Sequence, residues 1–178
     1  STKIFEFRIK YSSELARISK DKYFVTDKMP QNFRFIPLIL AAFPEAKIVH
    51  VKRDVAATCW SNFKQYFSTQ DLGYCYDLKD VVEYYNLYKD LMKFWQSQYG
   101  ERIYHLNYDQ LTTNQEKETR DLIAYLELTW EEACLSPHKN KRSVRTASQQ
   151  QVRQKIYKGS SEAWRKYEPF LCGAFDNL

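Results

Sequence analysis

Apolar residues recur at two spacings along the chain, and the alternation between them outlines its elements. Tyr11, Leu15 and Ile18 fall at helical spacing and predict a short helix over Tyr11–Ile18. Lys22–Thr26 (K-Y-F-V-T) is a compact apolar run between charges, which predicts a buried strand, stopped by Pro30. Phe33, Ile36, Leu40 and Phe43 line one face of a helix over Asn32–Phe43, ended by Pro44. Ala46–Val51 (A-K-I-V-H-V) is the clearest strand. Strand, helix, strand in this order predicts a βαβ unit whose two strands run parallel. Asp54 suits the N-cap of a helix over Val55–Phe67, and Ser68–Asp77 reads as a connecting loop. Leu78–Tyr99 predicts a long helix with a stripe of Val81, Tyr84, Tyr85, Tyr88, Leu91, Met92 and Trp95, closed by Gly100. Arg102–Leu106 predicts a third strand, Tyr108–Leu111 a turn or helix, and Gln115–Leu126 an amphipathic helix. Trp130–Leu135 and Ser161–Phe170 predict shorter helical pieces, with basic loop from Pro137 to Ser148 and no assignment over Gln149–Tyr157.

Composition narrows the class. Apolar residues at 44% and aromatics at 16% exclude global disorder, and 4 Gly with 5 Pro argue against a turn-dense all-β chain. The 178 residues therefore predict one α/β domain spanning 1–178. No apolar run approaches the ~20 residues of a membrane span. The net charge of +5 suits a phosphate-bearing partner and equally an ordinary basic protein. Basic residues concentrate in Lys139–Arg145 and Arg153–Lys158, continuing at Arg165 and Lys166, without the interleaved aromatics of a nucleic-acid module. Cys59, Cys75, Cys134 and Cys172 show no metal-ligand spacing, so no metal site is expected. Their scatter fits reduced core thiols, with disulfides open in an oxidising compartment. The chain opens on Ser1 rather than Met, which fits a piece with sequence upstream.

Three positions stand out as candidate chemistry. Arg53 follows the clearest strand, and open parallel sheets place ligands at the C-terminal ends of their strands. Ser61 lies eight residues further on, about two helical turns away, so a guanidinium fork and a hydroxyl could converge on one phosphate. Lys28 follows the first predicted strand, where an ammonium can stabilise charge on a transferring group. The plain alternatives are an Arg53 paired with Asp54 or a neighbour, a merely polar Ser61 and a solvated Lys28. His50 and His105 sit inside apolar strand patterns and read as satisfied core histidines, while His138 reads as solvated.

Four blocks in order resemble the sulfotransferase family, which uses 3′-phosphoadenosine 5′-phosphosulfate (PAPS). They are D-K-M-P-Q-N-F, F-P-E-A-K-I-V-H-V-K-R-D with Ser61, L-N-Y-D-Q-L, and the tail S-Q-Q-Q-V-R-Q-K-I-Y-K-G-S-S-E-A-W-R-K-Y-E-P-F-L. The likeness is nearest to the protein-tyrosine sulfotransferase branch and to bacterial sulfotransferases linked to tetratricopeptide repeats, so upstream repeats are a partner to expect. The resemblance implies a P-loop-NTPase-like three-layer α/β fold, a parallel sheet flanked by helices. It implies that Arg53 and Ser61 bind the donor's 3′-phosphate and that Lys28 acts catalytically beside the sulfuryl group. It further implies that Tyr108 contacts the adenine, and that Ser148, Lys158 and Gly159 bind the donor. PAPS, or adenosine 3′,5′-bisphosphate, would be the nucleotide partner without a metal, and the acceptor a hydroxyl or amine on a protein, carbohydrate or small molecule. A bacterial cytoplasmic setting fits best, or the Golgi lumen for a eukaryotic source.

The departures are equally specific. The family's Gly-rich 5′-phosphosulfate loop, of the G-x-P-R-S-G-T/S-T/S kind, is not in the sequence. The expected fold therefore lacks its N-terminal strand–loop–helix, and little turnover is expected from these residues alone. Ala163 stands before the tail Trp164 where a basic residue is frequent. Two other readings remain open. A P-loop small-molecule kinase would need Asp54 or Asp109 for Mg²⁺. A non-enzymatic binder of sulfated or phosphorylated partners would use Lys139–Arg145.

Overall fold

The computed structural model describes residues 2–19, 22–67, 70–141, 151–176 and 178. Six α-helices and two strands are found there: α1 (Thr2–Ser19), α2 (Ile36–Ala42), β1 (Ile48–Lys52), α3 (Val55–Phe63), α4 (Leu78–Tyr99), β2 (Ile103–Asn107), α5 (Tyr108–Thr113) and α6 (Gln115–Tyr125). Short 3₁₀ turns fill much of the remainder. The two strands pair in a two-stranded sheet. His50 meets His105, Arg53 meets Tyr108, and the Asp54 amide meets Asp109. All three pairs share one offset in residue number, 55 for the first and last. A constant offset, rather than a constant sum, marks a parallel register. The architecture is α/β with a small parallel sheet.

The chain divides into two compact units. The first comprises Ser1–Ile48 and Leu91–Ile103. Here α1 is far longer than the Tyr11–Ile18 pattern predicted, although none of its side chains is fully buried. It is fastened by single contacts. Arg8 donates to the Ala42 carbonyl at 2.9 Å, forks onto Glu45 at 2.6 and 3.2 Å, and lies 5.3 Å above the Phe43 ring. Phe7 and Tyr11 add edge contacts to the same ring. The predicted helix over Asn32–Phe43 is a 3₁₀ turn, Pro30–Phe35, leading into α2, which buries Ile36, Leu40 and Ala42. Trp95 donates to the Phe33 carbonyl at 2.9 Å.

The predicted strand Lys22–Thr26 does not form. Residues 22–29 have no regular structure, and Tyr23 is 92% exposed. An apolar run becomes a strand only where a neighbour completes its hydrogen-bond ladder. Among the described residues the sheet has two strands, neither of them this segment, so the expected three-stranded sheet is corrected to two.

The second unit comprises Val49–Asp90 and Tyr104–Leu178. Its core joins Ala56 and Cys59 of α3, Val81 of α4, and Leu171 and Phe175 of the tail. Asp54 caps α3 as predicted, its side chain accepting from the Ala57 amide at 2.8 Å. The helix ends at Phe63 rather than Phe67. The predicted loop over Ser68–Asp77 contains a 3₁₀ segment, Gln70–Tyr76, that buries Cys75 completely. The terminal helical piece is 3₁₀, Ala163–Phe170, with Pro169 inside it and therefore one backbone donor fewer. It is pinned by Tyr167 stacked on Trp60 at 4.6 Å and Trp164 edge-on to Phe175 at 5.8 Å.

Candidate functional site

Parallel pairing brings two strand-to-helix junctions side by side. Arg53 and Asp54 stand between β1 and α3, and Asn107, Tyr108 and Asp109 between β2 and α5. Asn107 caps α5 by accepting from the amides of Asp109 and Gln110 at 2.9 and 3.0 Å. That cap leaves the Asp109 carboxylate facing the neighbouring junction, where Oδ2 accepts from the Asp54 amide at 2.8 Å.

A third segment enters from the tail. Gly159 has φ of 82°, a left-handed conformation that glycine adopts without strain. The turn it makes delivers Ser160 and Ser161 to Arg53. Arg53 donates from Nε to Ser161 Oγ at 2.9 Å and from Nη2 to the Ser160 carbonyl at 2.7 Å. Its guanidinium carbon lies 5.5 Å from the centre of the Tyr108 ring, a cation over an aromatic face. Ser161 in turn donates to Asp109 Oδ1. At 8% exposure Ser161 is the one buried polar residue among those described.

The structure thus gathers Arg53, Tyr108 and the residues directly after Gly159. Lys158 is exposed at the entry to the same turn, and among the described residues nothing lies within 4 Å of where a Cβ on Gly159 would stand. Ser61 is half-buried in α3 and takes no part in the hydrogen bonds around Arg53. Ser148 lies outside the described residues. Lys28 belongs to the first unit, exposed on a segment without regular structure, so the strand end expected to position it is absent. Arg53 is held by the tail serines and not by Asp54. Sequence reasoning missed Ser160 and Ser161 as its partners, and Asp109 as the acceptor behind Ser161. The signal available was a Lys-Gly turn followed by two serines, which says nothing about which strand end they meet.

Asp54 Oδ1 accepts from the Ala57 amide, and both Asp109 oxygens are engaged, by the Asp54 amide and by Ser161. Among the described residues no group of three or more His, Cys, Asp or Glu is gathered as a metal site. A groove lined by α4 residues between Lys79 and Asp90 and by Ala174 of the tail shares no residue with the Arg53 group. Of the basic stretch Lys139–Arg145, Lys139 and Lys141 are exposed and the residues from 142 onward are not described.

Below the junctions, the same two strands hold a chain of neutral groups. His50 Nδ1 and His105 Nδ1 are 2.9 Å apart, and His50 Nε2 meets the Tyr88 hydroxyl of α4. Burial, then the neighbouring His105 and Lys52, push the His50 pKa down to about 4. Burial and Lys52 lower His105 as well, while burial and Tyr85 raise Tyr88 to about 12. The two histidines pair on adjacent strands as their positions predicted, but both are half-buried rather than in the core.

The family model described as "Sulfotransferase family" matches residues 4–132, well over half of the chain. That range contains Lys28, Arg53, Ser61, Tyr108 and Asp109 and stops before the tail turn. A protein of Aquifex aeolicus (strain VF5), named only as an uncharacterized protein, is 37% identical over 170 residues. The match covers 94% of this chain and 22% of that relative.

Proposed function

The chain belongs to the sulfotransferase family, with an α/β fold of that kind, and from this premise we propose that its Arg53 junction binds the adenosine bisphosphate part of PAPS. The observation that carries the reading is the Arg53 guanidinium, fixed at the C-terminal end of a parallel strand, beside the Tyr108 ring and the Lys158–Gly159 turn. Arg53 supplies a delocalised cation that grips a phosphate through paired N–H groups. Among the described residues its Nη1 stands outside the bonds to the tail. The open side of Gly159 leaves room for a ligand close to the backbone, and Lys158 adds a second cation at the turn. Two carboxylates nearby would oppose an anion, but each is engaged by protein donors, which offsets part of their charge.

The donor supplies an activated sulfuryl group whose S–O bond breaks toward the nucleotide phosphate. As that bond breaks, the acceptor's oxygen or nitrogen bonds to sulfur. In this reading Arg53 and Lys158 hold the donor's 3′-phosphate, Tyr108 walls the adenine, and Lys28 stabilises the charge gained by the 5′-phosphate. Ser61 and Ser148 complete the proposed donor contacts, and Lys28 is the proposed catalytic cation. No metal is assigned a role. The acceptor is a hydroxyl or amine compound, and the relative's greater length leaves room for its recognition elsewhere in a longer protein. Titration calorimetry with adenosine 3′,5′-bisphosphate tests this. Arg53→Ala should weaken binding roughly 10- to 100-fold, the loss expected for a charge-assisted fork. Equal affinity in a variant whose circular dichroism matches the wild type would overturn the assignment.

A further inference from the structure

We infer that Asp109, acting through Ser161, is a positioning residue that fixes the plane of the Arg53 guanidinium and so decides which of its edges meets an anion. The inference rests on the reading of Arg53 as the phosphate-binding group, but its geometry stands on its own.

The hydrogen bonds allow one polarity. Nε of Arg53 can only donate, so Ser161 Oγ must accept from it at 2.9 Å. The single hydroxyl proton must then point away from Arg53, and it is given to Asp109 Oδ1. Asp109 Oδ2 is occupied by the Asp54 amide at 2.8 Å, so the carboxylate cannot swing toward the guanidinium without releasing the neighbouring helix start. The Ser160 carbonyl takes one Nη2 proton at 2.7 Å. Two bonds on the Nε–Nη2 edge and a ring against one face leave the Nη1–Nη2 edge as the one presented. A long arginine side chain otherwise loses on the order of 2 kcal/mol of rotamer freedom when it grips a ligand. Here that ordering precedes the ligand. Asp109 contributes its charge at one remove, behind a buried hydroxyl, where it orients Arg53 without occupying the anion's place.

The test uses the whole chain and two readouts. The first is the Arg53 Nε–H resonance and its exchange with water by ¹⁵N NMR. A displaced, slowly exchanging signal is expected in the wild type, lost in Ser161→Ala and Asp109→Ala and retained in Ser161→Thr, which keeps the hydroxyl. The second is affinity for adenosine 3′,5′-bisphosphate by calorimetry. Ser161→Ala and Asp109→Ala should each weaken binding about tenfold, and the double variant no further than either, because the three groups act in series. Asp109→Asn, which keeps one acceptor oxygen, gives a milder variant if Asp109→Ala fails to fold, and should fall between wild type and Ser161→Ala. An Arg53 Nε–H that exchanges as fast as exposed arginines overturns the inference. So does a Ser161→Ala protein that melts lower but binds unchanged, and so does tighter binding, which would make the tail a competitor of the anion. Protection of Nε–H lost in both variants, with no bisphosphate binding in the wild type, upholds the positioning chain and overturns the proposed ligand instead.

Discussion

Moving from about pH 7 to about pH 5 should destabilise the fold, and His50 should supply a separable part of the loss. The histidine is held neutral between His105 and Tyr88, and its pKa falls from the ordinary 6.5 to about 4. A folded pKa below the unfolded one means that the unfolded chain takes up the proton first. The associated stability is therefore complete above about pH 6.5 and declines as the pH falls toward about 4, where the folded imidazole begins to accept a proton and the loss levels off. At about pH 5 nearly all unfolded chains carry the charge and about one folded molecule in ten does, a gap of about 2 kcal/mol before screening. His50 is only partly buried, and water reaching it reduces the figure to about 1 kcal/mol. That corresponds to a melting shift of about 3 °C for a chain of this size. Carboxylates also titrate in this window, so the comparison is with His50→Gln, which keeps a donor and an acceptor and cannot charge. Urea unfolding of both proteins at the two pH values isolates the difference. The wild type should lose about 1 kcal/mol more than the variant. Equal losses would refute the reasoning, because they would show that His50 titrates alike in both states.

Two further outcomes follow from single atoms. The Tyr84 hydroxyl is buried with no hydrogen-bond partner among the described residues, while its ring lies flat on Tyr74 with centres 3.8 Å apart. Tyr84→Phe should keep the stacking and stabilise the fold by about 1 kcal/mol in urea titrations, and a loss of stability would reveal a partner for that oxygen. Gly159→Ala meets no steric obstacle among the described residues but must adopt φ of 82°, so it should cost about 1 kcal/mol in thermal melts. An unchanged melting temperature would mean that the turn is not held in the left-handed conformation.

Elements that pack through their own periodicity were readable from the sequence. The α4 stripe, the Asp54 cap and the short strands at 48–52 and 103–107 all follow from local patterns. The run K-Y-F-V-T misled because hydrophobicity records a wish for cover and not the presence of a neighbour that provides it. Helix α1 was underestimated because its first half carries Glu6, Arg8 and Lys10 among the apolar residues, and Arg8 is anchored by a carbonyl and a carboxylate distant in sequence. At the candidate site, Arg53 and Tyr108 were legible as strand-end residues. Their partner Ser161 was not, since a contact across 108 residues between an arginine and one of two adjacent serines leaves no local trace.

The shared spacing of His50 with His105, Arg53 with Tyr108 and Asp54 with Asp109 works as a vernier with three marks. Deleting or inserting one residue in either strand would misalign the imidazoles, the cation and its ring, and the amide with its carboxylate in a single stroke. Length changes between Phe63 and Leu78 leave all three marks aligned. Homologous chains should accordingly vary in length across that connection and keep strict count from Ile48 to Asp54 and from Ile103 to Asp109.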